Sequence, residues 1–478
     1  SGYALFLLAM VFSRYKSDSI LNGVNKFSIF TYMLGVIVLL ATFGYYYHKY
    51  YSNSQMHKLS EIDFGLIILF SFFFLSVVSA RGSVRTIMVL VPSASAMVSY
   101  LLVVSFSKAI KLEDKNKKIW FYILAGILLV SALVSANAFY RESKFTAQSY
   151  IPSGYTQQWQ KAMAWVREST PENAVFAHWW DYGYWVQSIG NRATVLDGGN
   201  AIPYWDHLMG RHALTGMSDQ EALDFLYSHN TTHFLIDSTD IGKYPAFSSI
   251  GADEKYDRYS YIQTFVRDSR QTQERKNSSV LVYTGGFPIE DDLSYDFNGT
   301  KVFFAAQKSF VGAILIEKDS LGNIVSQPQA ILVSQKGQQY TIPLRYIFDP
   351  NSSSLKDYGA GLESGVFLIP VLITDNQVRI EQAGALLFLS NRTVKTQLAR
   401  LYLYNEKDPY FKLVRSEDDQ IVSQLKSQNI LSQNQDFVYY QGIRGPIKIW
   451  EINYPSGMKF DSDYLLTSYP NQALTIPR

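Results

Sequence analysis

Residues 179–183 of this 478-residue chain are Trp179-Trp180-Asp181-Tyr182-Gly183, in which two adjacent indole rings precede a carboxylate. Tryptophan is enriched at binding hot spots because its large, stiff ring buries area at little entropic cost. A carboxylate next to such rings accepts a hydrogen bond from a small hydroxyl or amide donor. The segment therefore predicts a binding site for a small polar group. The alternative interpretation is an aromatic cluster that packs a domain core.

A second segment combines a carboxylate, an ammonium group and apolar side chains. Asp240 and Lys243 are three residues apart, which places them on one face if the segment is helical. Phe247 and Ile250 continue the segment as apolar positions. Taken alone, an Asp-x-x-Lys pattern is typical of a solvent-exposed salt bridge, so its interpretation depends on its neighbours.

The third candidate is Arg85, which precedes an apolar segment that contains Pro92. A helix N-terminus together with a guanidinium is a natural site for phosphate oxygens. The alternative is an arginine that anchors a helix end at the membrane surface. Arg81, one turn earlier, is a second candidate contact.

Metal-binding and nucleotide-binding patterns are weak in this sequence. His229 and His233 have the spacing of a helical metal pair, but they straddle a predicted helix end and the next strand. The acidic runs Asp291-Asp292 and Glu417-Asp418-Asp419 are predicted to be solvated turns. The chain has no cysteine, which excludes disulfides and thiolate ligands. Its net charge of +2 gives no indication of a nucleic-acid partner.

The N-terminal part is predicted to be helical and to cross a membrane. Hydrophobic residues make up 47% of the chain, and they are concentrated before residue 140. A span needs roughly 17–25 apolar residues. Four runs approach that length: Phe27–Tyr47, Phe64–Ala80, Thr86–Phe106 and Ile119–Phe139. The run Tyr3–Phe12 is shorter and follows an initial serine, so we expect the chain to be the C-terminal part of a longer protein.

The loop charges predict which side of the membrane each part occupies. The segment Lys108–Lys118 carries five lysines against two acidic residues, so it should be cytoplasmic. Everything after residue 140 is then extracytoplasmic or lumenal. The basic loop Arg14–Lys26 disagrees with this orientation. Asn-x-Ser/Thr sequons occur only after residue 140, which agrees with it: Asn230, Asn277, Asn298, Asn351 and Asn391.

The remaining sequence predicts an α/β core with a β-rich insert of sandwich or barrel type. Residues 141–277 should form the core, with strands at 174–177 and 232–237 and a Ser218-capped helix at 218–229. Residues 278–375 contain short β-rich runs separated by Gly and Asn turns, which is typical of a sandwich or barrel. Residues 376–478 should return to the core through a helix at 393–403 and strands at 411–414 and 447–452.

The stretch from Ala177 to Trp185 resembles the signature of the oligosaccharyltransferase catalytic subunit. Members of this family move a glycan from a lipid carrier to the asparagine of an Asn-x-Ser/Thr sequon. In the family an Asp-x-x-Lys-x-x-x-Met/Ile helix follows this signature, and the segment beginning at Asp240 resembles it, with Phe247 at the Met/Ile position. The segment around Arg85 resembles a family Val-Arg stretch that contacts the donor diphosphate. The resemblance covers most of the chain and is closest to archaeal members.

The resemblance implies roles for the candidate residues. Trp179, Trp180 and Asp181, with Tyr182 and Gly183, would bind the sequon hydroxyl. Asp240, Lys243 and either Phe247 or Ile250 would complete this acceptor site, and Arg85 would contact the diphosphate.

The resemblance also implies catalytic acids and ligands for Mn²⁺ or Mg²⁺, which in the family lie mainly in the N-terminal half. We expect them outside this chain. A family glutamate belongs to a later external loop, whereas the segment Arg14–Lys26 holds only Asp18 as an acid. The implied partners are a lipid-linked oligosaccharide, an acceptor polypeptide and the lipid of the cell membrane or, in a eukaryote, the endoplasmic reticulum membrane.

Two other functions are compatible with parts of the pattern. A membrane-anchored carbohydrate- or peptide-binding protein without catalysis could also use a tryptophan cluster and a β-rich module. A different glycosyltransferase that uses a lipid carrier could share phosphate contacts of the Arg85 type. It would have no reason to combine the tryptophan motif with Asp240 and Lys243.

Overall fold

The computed structural model describes residues 2–14, 16, 18–54, 63–82, 87–150, 154–297, 299–350, 354–374 and 378–470. It contains two compact units, Ser1–Ile151 and Pro152–Arg478. Arg85 and two of the sequon asparagines, Asn298 and Asn351, lie outside the described residues.

The first unit is helical. Its helices are Gly2–Phe12, Lys26–Ser52, Phe64–Gly82, Ile87–Lys111 and Lys115–Ser149. The last four are long and apolar enough to cross a membrane, which confirms the predicted spans and supports a membrane location. Two helix starts are capped by side chains: Asn25 accepts from the Ser28 N–H, and Asp114 accepts from the N–H groups of Asn116 and Lys117. The last helix continues to Ser149, past the boundary predicted at residue 140.

A five-stranded mixed sheet forms the α/β core of the second unit. Its strands lie in the order Phe411–Glu417, Ile447–Ile452, His233–Ile236, Val175–Ala177 and Ala193–Thr194. Val175–Ala177 pairs in parallel with both of its neighbours, whereas the two C-terminal strands are antiparallel. The predicted strands at 174–177, 232–237 and 447–452 are therefore confirmed, as is the return of the C-terminal segment to the core.

Helices of the α/β core surround this sheet. They are Gln157–Ser169, Gly183–Ser188, Pro203–Leu208, Asp219–Ser228, Thr239–Ile250 and Gln420–Ser427. Asp219–Ser228 begins where predicted, because Ser218 accepts a hydrogen bond from the Glu221 N–H. Its buried face includes Ala222, Phe225 and Leu226. Shorter helical turns are Trp180–Tyr182, Met209–Leu214, Ser269–Gln271, Leu398–Leu403 and Ser462–Leu465. The helix predicted at 393–403 is thus limited to its second half.

The β-rich insert is a closed barrel of seven strands. Around the barrel they are Gln339–Asp349, Gln329–Val333, Phe310–Asp319, Ser278–Pro288, Gln263–Arg267, Arg379–Leu389 and Leu362–Ile373. A parallel pairing between the first and last of these strands closes the barrel. Smaller strands are Gln273–Glu274, Leu293–Phe297, Thr300–Phe304, Ser354–Asp357, Val438–Tyr439 and Ile443–Arg444. The predicted mixed core with a barrel-like insert is therefore confirmed.

The barrel extends beyond both predicted limits of the insert, 278 and 375. Gln263–Arg267 and Arg379–Leu389 are barrel strands. The sequence did not predict the strand Arg379–Leu389, because this strand buries consecutive residues instead of alternating ones. Leu386 and Phe388 pack in the barrel interior, whereas Leu387 and Leu389 pack in the α/β core. A strand that buries both faces shows no period-2 pattern.

Candidate functional site

The tryptophan motif lies where a core strand ends and the chain turns. Val175–Ala177 leads to Trp179, which has an extended backbone, and a helical turn covers Trp180–Tyr182. A β-carbon on Gly183 would lie 2.5 Å from the Cα atom of Asp197 and 2.5 Å from the Leu196 carbonyl oxygen. Only glycine allows this close approach, so Gly183 holds the motif against the 196–199 loop.

The two indole rings differ in exposure. Trp179 is only 1% exposed, and its ring centroid lies 5.6 Å from that of Phe247 and 6.2 Å from that of Trp180. Trp180 is half-buried, while Asp181 next to it is exposed. Trp179 therefore packs inside the core, whereas Trp180 and Asp181 form the part of the motif that solvent can reach.

The structure brings the second segment to the motif. The helix Thr239–Ile250 places the Lys243 Nζ atom 3.1 Å from Asp181 Oδ2, and both side chains are 30% exposed. The same ammonium group lies 4.4 Å from the centroid of the Tyr182 ring. The two motifs, which are far apart in sequence, are thus in direct contact in the structure.

The Tyr182 hydroxyl is the centre of a hydrogen-bond network beneath this ion pair. It donates to Asp240 Oδ1 at 2.7 Å and accepts from Lys243 Nζ at 3.0 Å. The Thr239 hydroxyl lies 2.8 Å from it. Asp240 also accepts from the Asp237 N–H at 3.0 Å. Asp240 and Lys243 share one helix face, so Tyr182 contacts both of them.

Burial shifts the ionisation of the groups behind the motif. Asp240 has no exposed surface, and this burial raises its pKa to about 7, although the positive charge of Lys243 acts in the opposite direction. Burial also raises the pKa of Asp237. His178 is fully buried, which lowers its pKa to about 4, and its Nδ1 lies 2.8 Å from the Trp179 carbonyl oxygen. His178 is therefore neutral at physiological pH.

The predicted apolar acceptor contacts, Phe247 and Ile250, are placed differently by the structure. Phe247 has no exposed surface and packs between Trp179 and Tyr244, so it cannot reach an acceptor in this conformation. The reason is the geometry of the helix, because Phe247 lies on its inward face. Ile250 is half-buried, and its carbonyl oxygen lies 2.8 Å from the Nδ1 atom of His207. Its role stays a prediction.

Several supporting residues were not singled out from the sequence. Trp159 stacks on Tyr182 with ring centroids 4.8 Å apart. Asp197 accepts from the Gln187 side chain at 3.0 Å and from the Gly199 N–H at 2.8 Å, which fixes the loop that packs on Gly183. Two consecutive glycines after an aspartate were the available sequence signal. No such signal marked Trp159.

The described residues do not fit the metal that the family resemblance implies. Among them, no group of three or more His, Cys, Asp or Glu side chains converges on one point. His229 contacts the Tyr464 carbonyl oxygen, and His233 contacts the Thr232 hydroxyl. The acidic runs are engaged in ion pairs instead, such as Asp291 with Arg392 and Asp418 with Lys426.

Sequence and structure comparisons find proteins that are similar to parts of this chain. No protein-family model matches the chain. The chain is 32% identical to dolichyl-phosphooligosaccharide-protein glycotransferase 1 of Pyrococcus furiosus over 131 residues, which are 27% of this chain and 13% of that protein. It is 27% identical to a rice dolichyl-diphosphooligosaccharide–protein glycosyltransferase subunit, STT3B, over 118 residues, which are 24% and 16% of the two chains.

Solved structures with a detectable likeness include the archaeal oligosaccharyltransferase AglB of Archaeoglobus fulgidus in complex with an inhibitory peptide and a dolichol-phosphate. Its identity is 14% and its TM-score 0.40, covering 87% of this chain and 46% of that one. The matches to the two sequence relatives span less than a fifth of the length of each relative. The resemblance first carried by the motifs is confirmed: over about a quarter of its length, the chain is similar in sequence to these oligosaccharide–protein glycosyltransferases.

Proposed function

We propose that this chain is the acceptor-recognising part of an oligosaccharyltransferase. The reaction would transfer an oligosaccharide from a lipid-(di)phosphate carrier to the side-chain amide of asparagine in Asn-x-Ser/Thr sequons. The observation that carries the proposal is the Asp181–Lys243 pair at 3.1 Å, which joins the tryptophan motif to the Asp-x-x-Lys helix. Neither motif alone distinguishes this function from carbohydrate or peptide binding.

The accessible carboxylate of Asp181 accepts a hydrogen bond from the hydroxyl of the sequon Ser or Thr. Lys243 orients this carboxylate through the ion pair, and the half-buried Trp180 ring lies beside it. A site built around such a hydrogen bond rejects a peptide that lacks the hydroxyl, because the polar groups of the site are then left unpaired. The specificity for Ser or Thr over other residues follows from this contact.

The buried network makes the site rigid. The Tyr182 hydroxyl and the Asp240 carboxyl hold Lys243 from below, and Trp159 and Trp179 fill the space around them. Binding groups act best when supporting residues fix their rotamers. A bound sequon is thereby held with its asparagine in a defined position, which favours reaction at the carboxamide.

In the transfer itself, the carboxamide nitrogen of the acceptor forms a bond to the anomeric carbon of the donor sugar. The bond from that carbon to the phosphate oxygen breaks, the lipid diphosphate departs with the bonding electrons, and the amide nitrogen releases one proton. A bound Mn²⁺ or Mg²⁺ would stabilise the negative charge of the departing phosphate, and its ligands and the catalytic acids belong outside the described residues. Arg85 would contact the diphosphate at the outer membrane face. The charges of the loop Lys108–Lys118 favour the same orientation, with residues after 140 on the extracytoplasmic or lumenal side.

The test uses the complete gene product in membranes with lipid-diphosphate-linked oligosaccharide, a fluorescent Asn-x-Thr peptide and Mn²⁺ or Mg²⁺. We expect a glycosylated peptide that is absent with EDTA and absent when a Gln-x-Thr peptide replaces the acceptor. If the peptide or a free glycan binds but no product forms under any of these conditions, the tryptophan motif belongs to a non-catalytic binding protein.

A further inference from the structure

The chain itself carries sequons, and the structure distinguishes among them. The structure describes the asparagines of three: Asn230, Asn277 and Asn391. A transferase that recognises sequons must reach two groups, the asparagine carboxamide and the hydroxyl two residues later. A sequon whose hydroxyl is committed within the fold is closed to such an enzyme unless the segment opens locally.

The sequon at Asn230 is closed by the core sheet. Its hydroxyl residue, Thr232, is half-buried, and its Oγ1 atom accepts from the Val175 N–H at 3.0 Å and contacts the Val175 carbonyl oxygen at 3.1 Å. These bonds connect two neighbouring strands, next to the tryptophan motif. Exposing Thr232 would therefore require two inner strands of the core sheet, His233–Ile236 and Val175–Ala177, to separate where they begin.

The sequon at Asn391 is closed by burial. Thr393 has no exposed surface, and its hydroxyl donates to the Ser390 carbonyl oxygen at 3.2 Å. Arg392, between the two sequon residues, donates to the carbonyl oxygens of Tyr256 and Tyr259 and pairs with Asp291. The Asn391 side chain is exposed, but the residue that a transferase must recognise is not.

The sequon at Asn277 is open. Asn277 is exposed in the turn that joins the strands Gln273–Glu274 and Ser278–Pro288. Only two residue pairs connect these two strands, while Ser278 and Ser279 pair on their other side with the barrel strand Phe310–Asp319. The asparagine itself therefore lies before the paired part of the long strand. Ser279 is half-buried, as Thr232 is, but its hydroxyl donates to Glu274 Oε2 at 2.5 Å in an exposed contact, which water or another carboxylate can replace. Thr232 bonds instead to backbone groups of the core sheet. Exposed turn tips of this kind open at low free-energy cost.

We propose that Asn277 is an N-glycosylation site of this protein, whereas Asn230 and Asn391 remain unmodified. The Asn277 carboxamide nitrogen forms a bond to the anomeric carbon of an oligosaccharide, and the bond from that carbon to the phosphate oxygen of a lipid-linked donor breaks. The lipid phosphate group leaves with the bonding electrons, and the amide nitrogen releases one proton to solvent. The inference requires a sequon-specific transferase in the same membrane but does not require that this chain be that enzyme.

The test is glycopeptide mass spectrometry of the full-length protein isolated from its own membranes. The peptide containing Asn277 should carry a glycan, and the peptides containing Asn230 and Asn391 should not. Ser279→Ala should lower occupancy at Asn277 by about a hundredfold or more, because the recognised hydroxyl is lost. Ser279→Thr should restore it. Ser278→Ala, which leaves both recognised residues in place, is the matched control and should keep the glycan.

Two results would overturn the inference. One is an Asn277 peptide without glycan in the wild-type protein. The other is equal modification at Asn277, Asn230 and Asn391, which would mean that glycans are added before the fold closes the latter two. Both results are independent of the peptide-transfer assay above, since that assay measures what the protein does to an added acceptor. A glycan on Asn277 would also fix the second unit on the glycosylating side of the membrane.

Discussion

The α/β core and the β-barrel differ in where most of their ionisable groups lie. Behind the tryptophan motif, the core buries two carboxyls, Asp237 and Asp240, next to the hydroxyl of Tyr182. The barrel interior is mainly apolar, built from residues such as Leu281, Phe287, Ile314, Leu332, Leu344 and Leu368. Several of its charged groups instead form exposed pairs, such as Arg275 with Glu317.

This difference distinguishes the candidate site from the barrel. Buried ionisable groups are costly to stability, so a cluster of them in one place points to a functional site. Glu290 at the barrel mouth is also buried, and this burial raises its pKa to about 7. The core cluster differs from it because its members bond to each other and reach an accessible ion pair, Asp181–Lys243. The following predictions test whether the two regions respond differently to substitution.

The largest effect on stability is expected for Asp240→Ala. The change removes the carboxylate that accepts from the Tyr182 hydroxyl and from the Asp237 N–H. The Asp237 N–H would lose this acceptor inside the core, and Tyr182 would keep only its contacts with Thr239 and Lys243. We expect the free energy of unfolding to fall by about 2–4 kcal/mol. Chemical unfolding of the full-length protein in detergent, followed by tryptophan fluorescence, measures this loss. A loss below 1 kcal/mol would show that the network contributes little.

A second large effect is expected for Gly183→Ala. The new methyl group would lie within 2.5 Å of backbone atoms of Leu196 and Asp197, so the loop or the motif must move. We expect a loss of about 1–3 kcal/mol in unfolding free energy, together with weaker peptide binding. Gly242→Ala is the matched control, because nothing lies within 4 Å of its β-carbon position. In that helix the control should stabilise the protein by about 0.5–1 kcal/mol. Equal effects of the two changes would contradict the close packing at Gly183.

The pH dependence of stability provides a smaller test. Burial raises the pKa of Asp240 to about 7, so its favourable contribution is present at low pH and is lost as the pH rises from about 4 to 7. Burial lowers the pKa of His178 to about 4, so its contribution is lost in the opposite direction, as the pH falls below about 6.5.

Asp240→Asn isolates the first group, because the amide does not titrate. The free energy of unfolding of this variant, measured at several pH values between 4 and 7, should increase relative to that of the wild type as the pH rises. A constant difference across the range would mean that Asp240 keeps an ordinary pKa.

The smallest effect is expected in the barrel, from Arg275→Met. This change removes an ion pair of 2.9 Å whose arginine side chain is 56% exposed. Exposed pairs of this type contribute about 0–1 kcal/mol. Thermal unfolding and peptide binding should both stay close to the wild type. A loss as large as that of Asp240→Ala would remove the distinction between the two regions.

Much of the fold and the site could be predicted because local patterns agree with the structure. Helical hydrophobic runs marked the spans, Ser218 marked a helix start, and the motifs marked the site. The strand Arg379–Leu389 could not be predicted because both of its faces are buried, one in each core. Its sequence therefore does not alternate between apolar and polar residues. The burial of Phe247 could not be predicted either, because tertiary packing determines which face of its helix points into the core. The hydrogen bonds of the Tyr182 hydroxyl could not be predicted, because its partners are distant in sequence and only the fold brings them together.

The most direct test of the central claim compares two peptides on two proteins. Asn-x-Thr and an analogue with 2-aminobutyrate in place of Thr differ by one hydroxyl, and their affinities for the wild-type protein and for Asp181→Ala form a complete cycle. Glu172→Ala, which removes an exposed carboxylate of the same unit, serves as the control. We predict that the wild type and the control prefer the hydroxyl peptide by about a hundredfold or more, and that Asp181→Ala loses most of this preference. Equal binding of both peptides to the wild type would contradict the assignment of this site to sequon recognition.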